Sequence, residues 1–364
     1  MSQPTPTHPT RRIAVIPGDG IGPEVTEQAV KCLQAALAAG GKQAVFTSFD
    51  WGAERFLRDG TTLPAGSVEM MRRDFDAILF GAVGDPRVPS NQHALDILFG
   101  LRFGLDLYVN LRPCVLLDKR LTPLRDRAEA DVQFVVVREN TEGMYVNIGG
   151  QFKRGTADEV AVQEELNSRK GVERIVRFAF EFARERKLKR VCMSDKSNAL
   201  THGHDLWQRV FKELRGQYQE IESRHLYIDT LAMAMVRDPA QFDVIVTNNL
   251  FGDIVSDLGA ELAGGLGLSP SGNIFPGQVS LFEPVHGSAP TIAGKDLANP
   301  FGAILTAGML CDHLGWPAEG QALRGAVRAA VREGKCTADL GGSLGTRAAG
   351  DWIANSIAKA RLPS

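Results

Sequence analysis

Short apolar runs alternate along the chain with longer amphipathic stretches, a pattern typical of strands that alternate with helices. Strands are predicted at 13–16, 44–49, 76–80, 134–137, 190–193 and 244–246. A helix is predicted to begin around Pro23 and to end near Gly40-Gly41, and further helices are predicted at 53–58, 67–73, 97–107 and 171–186. The last of these is the clearest, because Ile175, Phe178, Ala179 and Phe182 share one helical face. The alternation predicts an α/β architecture with a largely parallel sheet.

One segment, Gln151–Val162, interrupts this alternation. It is polar and contains Gly155, but it also contains the β-prone residues Val160 and Val162. Three interpretations stay open at this point. The segment is an exposed hairpin, an arm that reaches toward a partner subunit, or a solvated loop.

Length and charge limit the functional classes. A chain of 364 residues suits one large domain or two closely joined domains. Lys plus Arg number 41 and Asp plus Glu number 43, so the charge balance predicts neither nucleic acid nor an anionic membrane as a partner. No apolar run approaches the roughly 20 residues that a membrane-spanning helix needs.

The cysteines and the N-terminus indicate a compartment. The five cysteines are far apart in the sequence and form no CxxC pair, which predicts reduced core thiols and a cytoplasmic location. Residues 1–12 are rich in Pro and Thr and lack an apolar stretch, so they predict a disordered tail rather than a signal peptide.

A pair of aspartates follows the apolar strand at 244–246. Asp253 and Asp257 are four residues apart, so both carboxylates lie on one helical face, where like charges repel. Mg²⁺ prefers oxygen ligands and would relieve that repulsion. The alternative is that acidic residues simply suit the first helical turn. The position just after the carboxyl end of a strand favours the metal site.

Basic and hydroxyl side chains point to an anionic substrate. Arg102, Arg112 and Arg138 could each bind a carboxylate in bidentate fashion, although each alone is also typical of a surface or salt-bridging residue. Together with the aspartate pair they predict a site for a multiply anionic substrate that chelates a metal. Lys196, just past a strand, and Tyr145 are candidates for proton transfer, with a structural role as the alternative for each.

Two glycine-rich segments could approach a nucleotide. Gly18–Gly22 has GxGxG rather than GxGxxG spacing, and no acidic residue ends a second strand in the expected context, which argues against a Rossmann fold. Glu283–Pro290, followed by Ala298–Pro300, is rich in small residues that let the backbone approach a phosphate or an adenine. His286 by itself could equally be a core residue or a ligand contact.

Five motifs in this order resemble the isocitrate/isopropylmalate dehydrogenase family, and the resemblance spans about residues 12–360. The motifs are Pro17–Glu24, Asn110–Pro113, Arg138–Glu142, Asn249–Asp257 and Glu283–Pro290. The resemblance implies a two-subdomain fold with a central mixed sheet and an interdomain cleft. It assigns residues 1–107 plus 264–364 to a cofactor-side subdomain, and 108–263 to a substrate and dimerisation subdomain.

The resemblance also implies residue roles. The implied substrate contacts are Leu98, Phe99, Arg102, Arg112, Arg138 and Asn198. The implied cofactor contacts are Glu283, His286, Gly287, Ser288, Ala289, Thr291, Ile292 and Asn299. Tyr145 would protonate the enol, while Lys196 and Asp229 would reach across the dimer interface as proton-transfer residues. Asp229, Asp253 and Asp257 would hold Mg²⁺ or Mn²⁺.

The implied reaction is the metal-dependent oxidation of a malate-type 2-hydroxy acid, with loss of a carboxylate as CO₂. Thr291 stands where NAD-using relatives carry Asp, yet the Lys-Tyr pair of NADP-using isocitrate enzymes is absent from the sequence. NAD is therefore favoured, and NADP is left open. Two alternatives are weaker. A non-catalytic regulatory paralogue would be expected to lack an Arg, Lys or Asp of the site, and this chain keeps them all. A nucleotide-binding module without redox chemistry would not explain why these residues are present.

The stretch before Arg102 bears on the substrate. Asp96 and Leu98 stand where isocitrate enzymes carry Ser and Asn, so an apolar wall would leave the third carboxylate of isocitrate without a partner. Leu98 and Phe99 suit an alkyl group such as isopropyl. We therefore favour 3-isopropylmalate as the substrate. The segment Gly81–Pro86 resembles the D-malate and tartrate branch, so D-malate or tartrate is the alternative.

Overall fold

The computed structural model describes residues 10–360, so the tail prediction for the first residues falls mostly outside the described chain. The strands are β1 Arg11–Gly18, β2 Ala44–Ser48, β3 Ala77–Ala82, β4 Val109–Val115, β5 Gln133–Glu139, β6 Gly149–Phe152, β7 Val160–Gln163, β8 Arg190–Asp195, β9 Glu222–Tyr227, β10 Val244–Thr247, β11 Pro270–Ile274 and β12 Ser280–Pro284.

The helices continue the alternation that the sequence predicts. They are α1 Gly22–Ala39, α2 Ala53–Asp59, α3 Ser67–Asp74, α4 Gln92–Gly104, α5 Arg169–Glu185, α6 Gly203–Arg215, α7 Ile228–Arg237, α8 Asn249–Leu262, α9 Phe301–His313, α10 Pro317–Arg332 and α11 Thr346–Lys359. All strands and helices predicted above are present, most with ends shifted by a few residues. The α/β fold class is confirmed.

The chain divides into two compact units. One unit joins the segment up to Leu105 with the segment from Gly264 onward, and the other is Asp106–Ala263. In the first unit the strand order is β2-β1-β3-β12-β11, with β1, β2, β3 and β12 parallel and β11 antiparallel to β12. This mixed sheet differs from the all-parallel Rossmann sheet.

Apolar side chains of the first unit fill both sides of its sheet. Ile13–Ile16 of β1 is an unbroken apolar run with almost no solvent exposure, as expected for a central strand with helices on both faces. The helix α1 packs against α9 and α11 on one face. Pro23 lies in the first turn of α1, where its missing N–H leaves no hydrogen bond unmade.

The second unit has the strand order β4-β5-β10-β8-β9. The pair β4/β5 is antiparallel, while β5, β10, β8 and β9 are parallel, so this sheet is also mixed. Its core includes Phe134, Val136, Ile245, Met235 and Val255, which come from β5, β10, α7 and α8. The carboxyl ends of β5, β8 and β10 therefore lie side by side at one edge of the sheet, where ligands of such sheets usually bind.

The segment that interrupts the alternation is a two-stranded antiparallel hairpin. Its strands β6 and β7 pair from Gly149 with Gln163 to Phe152 with Val160. Phe152 is 67% exposed and Val162 is 49% exposed, so the hairpin buries little apolar surface of its own. The hairpin interpretation is confirmed, and the solvated loop is wrong.

The glycine-rich turn before α1 packs closely on a second loop. Gly20 has φ +59°, and a Cβ on it would lie 2.0 Å from the carbonyl oxygen of Ser288, so only glycine fits there. The N–H of Ile21 donates to the same oxygen at 2.8 Å. This turn therefore supports the loop at 283–290 within the first unit.

The cysteines and the helices bear on the environment of the protein. The five cysteines are buried free thiols. Of the helices formed by residues 10–360, none combines the length and apolar character that crossing a bilayer would require.

Candidate active site

Two of the arginines lie on adjacent strands below one helix. Arg112 is on β4 and Arg138 is on β5, and α8 passes over both strands. Gly252 of α8 makes this approach possible, since a Cβ there would lie 2.4 Å from the Cγ of Arg138. Both arginines are buried, with exposures of 9% and 2%. A buried guanidinium needs an anionic or polar partner.

Asp253 of α8 is the partner that both arginines share. Its Oδ1 lies 2.5 Å from a terminal nitrogen of Arg138 and 3.2 Å from one of Arg112. Its Oδ2 accepts a hydrogen bond from the hydroxyl of Tyr145 at 2.9 Å. Asn249, one turn earlier on α8, accepts from two further nitrogens of Arg138. The guanidinium is therefore fixed in one orientation.

Asp257 extends the same cluster by one helical turn. Its Oδ1 lies 3.3 Å from Arg112, which also donates to the hydroxyl of Ser256 at 2.7 Å. Burial raises the pKa of the Asp257 carboxyl above its ordinary value; Asp253 acts in the same direction, whereas Arg112 acts to lower the pKa. Two guanidinium groups and two carboxylates thus form a neutral set in which each charge has an opposite neighbour.

Lys196 and Asp229 form a second pair in the same unit. Lys196 follows β8, and Asp229 lies in the first turn of α7, with 2.9 Å between Nζ and Oδ1. The hydrogen bond from Lys196 lowers the pKa of Asp229. Both side chains are partly exposed, and Nζ lies 6.0 Å from the centre of the Tyr227 ring. Asn198, two residues further along, is exposed.

The three aspartates named as metal ligands are divided between these clusters. Asp253 and Asp257 share α8, whereas Asp229 lies on α7 beside Lys196. Across the described part of the chain, no set of three or more His, Cys, Asp and Glu side chains is placed to hold a metal ion. The two oxygen-rich side chains on α8 suit a hard divalent cation, but one chain supplies only this pair at that position.

The remaining substrate residues lie on α4 in the first unit. Arg102 is 4% exposed, and a terminal nitrogen of its side chain lies 3.6 Å from Oε1 of Glu283. Its guanidinium also lies over the ring of Phe99, 5.1 Å from the centroid. Leu98 and Phe99 are half-buried, so both are available to line an apolar surface beside the guanidinium.

The second glycine-rich loop carries the residues named as cofactor contacts. In the described chain, Nε2 of His286 is buried without a hydrogen-bond partner, while Nδ1 lies 3.1 Å from the carbonyl oxygen of Gly287. Burial lowers the pKa of His286, which favours the neutral ring. An unsatisfied buried nitrogen of this kind fits a contact with a bound base.

Other residues near this loop are held by the protein itself. Asn299 is buried, donates to Asp339 at 2.9 Å and accepts from the N–H of Phe301. The N–H of Ile292 donates to the carbonyl oxygen of Ala289, which closes a turn. Thr291 is exposed, and Ser288, Ala289 and Ile292 are half-buried.

Sequence reasoning missed one residue that organises the first unit. Asp19 is 6% exposed and accepts hydrogen bonds from the N–H groups of Ala53 and Gly84. Its Oδ2 also lies 2.7 Å from Nε2 of His93, which is fully buried at the start of α4. The signal available in the sequence was a carboxylate between two glycines, where it can reach neighbouring backbone N–H groups.

The fold and this set of charges define a class: an α/β protein with a buried cluster of paired arginines and aspartates in one unit and a glycine-rich loop in the other. Residues 12–353 match the family model described as isocitrate/isopropylmalate dehydrogenase. The chain belongs to the isocitrate/isopropylmalate dehydrogenase family, as the motifs indicated.

Relatives and solved structures agree with this assignment. The chain is 45% identical over 352 residues to a 3-isopropylmalate dehydrogenase of Thermobifida fusca, covering 96% of this chain and 98% of the relative. It is 46% identical over 349 residues to a 3-isopropylmalate dehydrogenase of Corynebacterium kroppenstedtii, covering 95% and 99%. The isocitrate dehydrogenase structure from Methylococcus capsulatus has a TM-score of 0.87 and 36% identity, covering 96% of this chain and all of the other.

Proposed function

We propose that the chain is a 3-isopropylmalate dehydrogenase, which oxidises the 2-hydroxyl group and releases the adjacent carboxylate as CO₂. The observation that carries the proposal is the neutral cluster of Arg112, Arg138, Asp253 and Asp257 on β4, β5 and α8. The names of the relatives at 45% and 46% identity support the same substrate.

The cluster has the charges that a dicarboxylate with a bound cation requires. Arg112 and Arg138 bind carboxylate groups of the acid, which replace the aspartates as their partners. Asp253 and Asp257 turn their oxygens to the cation, which replaces the arginines. Arg102 of α4 supplies a third guanidinium. Binding energy is thereby used for orientation of the reacting carbon.

The cofactors supply the chemistry that side chains lack. When bound beside these residues, NAD would supply the hydride acceptor, and Mg²⁺ or Mn²⁺ would supply a Lewis acid at the oxygen on C2. Asp253 and Asp257 would supply oxygen ligands to the cation, and Asp229 of the partner subunit would supply a third. The buried Nε2 of His286 would contact the adenosine end of NAD.

Proton transfer falls to the remaining polar groups. Lys196, with Asp229 beside Nζ at 2.9 Å, takes the proton of the substrate hydroxyl. The hydroxyl of Tyr145, held by Asp253, returns a proton to C3 after CO₂ has left. Asn198 and the loop residues Glu283, Gly287 and Thr291 complete the contacts that we assign to substrate and cofactor.

A substrate panel tests this function. We expect kcat/KM to be highest for 3-isopropylmalate with NAD, above D-malate, tartrate and isocitrate, each measured with NAD and with NADP. Leu98 and Phe99 bury the isopropyl group, and a single methylene group is worth about 1–3 kcal/mol in such a pocket. A preference for D-malate or tartrate would assign the chain to that branch, and no oxidation of any of the four acids would overturn the proposal.

The active protein is proposed to be a homodimer. Large apolar side chains of the second unit are exposed on α7, α8 and the hairpin: Phe152 67%, Val160 52%, Val162 49%, Met233 61%, Val236 47% and Ile254 57%. Exposed apolar groups of this kind favour a protein interface. As the family resemblance implies, we assign Lys196 and Asp229 of one protomer to the site that holds Asp253 and Asp257 of the other, and twofold symmetry would repeat this exchange at both sites.

Subunit mixing tests the shared site. Co-refolding Lys196→Met with Asp253→Asn chains is expected to restore about a quarter of the wild-type rate, because half of the dimers are mixed and each mixed dimer has one intact site. Each variant alone is the low-activity control, and all rates are measured at a Mg²⁺ concentration that saturates the wild type but not Asp253→Asn. If the mixed sample stays as inactive as the separate variants, Lys196 and Asp253 act within one chain and the shared site is wrong.

A further inference from the structure

A fully buried histidine contacts the backbone of Lys196. His204 is the second residue of α6, and its Nδ1 accepts a hydrogen bond from the N–H of Lys196 at 2.7 Å. A nitrogen that accepts from an N–H carries no proton, so the imidazole is neutral and its proton is on Nε2. The histidine thus fixes the residue that carries the proposed base.

The other side of the ring faces a carboxylate. Nε2 of His204 lies 3.2 Å from Oε1 of Glu165, and the side-chain amide of Asn248 donates to the same oxygen at 2.7 Å. Burial raises the pKa of Glu165, but the hydrogen bonds from His204, Asn248 and Asn167 outweigh burial, so the net pKa lies below its usual value. Glu165 therefore stays an acceptor for both groups at neutral pH.

Asn248 connects this network to the helix of the aspartates. Its Oδ1 accepts from the N–H of Phe251 at 2.9 Å, so it is the N-cap of α8. Phe251 also contacts the ring of His204 edge-to-face, with 5.6 Å between centroids. A continuous set of hydrogen bonds thus runs from Lys196 through His204 and Glu165 to the first turn of α8.

We propose that His204 is a positioning residue, which with Glu165 and Asn248 holds the Lys196 turn in a fixed place relative to α8. The inference rests on the proposed function, because it gives Lys196 the role of base. His204 itself touches neither Asp253 nor the Lys196 amine in this network, so its effect is on the placement of Nζ. Misplacement of a reacting group by about 1 Å costs on the order of 100-fold in rate.

Replacing His204 with Asn or with Gln distinguishes a role in positioning Lys196 from a role in filling the volume of the core. Asn places its oxygen near the position of Nδ1, whereas Gln reaches the position of Nε2 and is closer to His in volume. We expect His204→Asn to keep kcat within about threefold, and His204→Gln and His204→Phe to lower it about 10- to 100-fold, with KM for the acid nearly unchanged. His202→Phe, on an exposed histidine two residues away, is the matched control and should act as wild type.

The outcomes distinguish this inference from the proposed function. Wild-type chain that oxidises none of the four acids would overturn the function, whereas active wild type with Gln equal to or better than Asn would overturn the role of His204. The rate of hydrogen exchange at the backbone amide of Lys196 can be measured without an activity assay. Exchange should be faster in His204→Gln and His204→Phe than in the wild type and His204→Asn. Equal exchange in all four proteins would also overturn the inference.

Discussion

Replacing Lys196 with Met is expected to lower kcat by about 100- to 10,000-fold, the range that a positioned acid or base contributes. Met keeps the length of the side chain but cannot accept the hydroxyl proton. The melting temperature should change little, since both Lys196 and its partner Asp229 are partly exposed. Steady-state rates with saturating 3-isopropylmalate, NAD and Mg²⁺ give kcat, and thermal unfolding gives the melting temperature.

The control is Lys212→Met, which removes an exposed lysine of α6 in the same unit. It should leave kcat unchanged. Near-normal turnover of Lys196→Met would remove the lysine from proton transfer. A large fall in melting temperature together with kcat would instead indicate a structural role.

Replacing Asp253 with Asn is expected to raise the Mg²⁺ concentration for half-maximal rate by more than about tenfold, because even outer-sphere partners of a metal contribute 10- to 100-fold to affinity. The change also removes the charge that Arg112 and Arg138 share. Two buried guanidinium groups would then face each other with less compensation, so we expect a lower melting temperature as well.

Glu261→Gln is the matched control for this variant. Glu261 lies two turns further along α8 and is exposed, so the metal requirement should stay at the wild-type value. An unchanged Mg²⁺ requirement in Asp253→Asn would exclude Asp253 as a ligand. A melting temperature equal to that of wild type would show that Arg112 and Arg138 do not depend on its charge.

The elements that carry the aspartates could be predicted because their signals are local. An apolar strand followed by acidic residues four apart identifies β10 and α8 without knowledge of any distant contact. The strands β9 and β11 gave no such signal. Strand β9 reads Glu-Ser-Arg-His-Leu-Tyr and lies at the sheet edge, where polar residues are tolerated, and β11 contains Pro and Gly.

The contacts that hold the site in place could not be predicted, because their partners are far apart in the sequence. His204 and Asn248 are 44 residues apart, and Asp19 and His93 are 74 residues apart. A single histidine or aspartate in isolation is compatible with many environments, and only the folded chain brings these pairs together. Of the three arginines that the sequence groups with the aspartates, Arg112 and Arg138 contact Asp253, and this sharing follows from the register of β4 and β5 under α8.

Decarboxylation at this site is tested most directly by the stoichiometry of NADH and CO₂ when Mg²⁺ is added to metal-depleted protein with 3-isopropylmalate and NAD. Both products should be absent before the metal is added and should then form in equal amounts. NADH formed without CO₂, or formed equally well without the metal, would contradict a decarboxylating site built on Arg112, Arg138, Asp253 and Asp257.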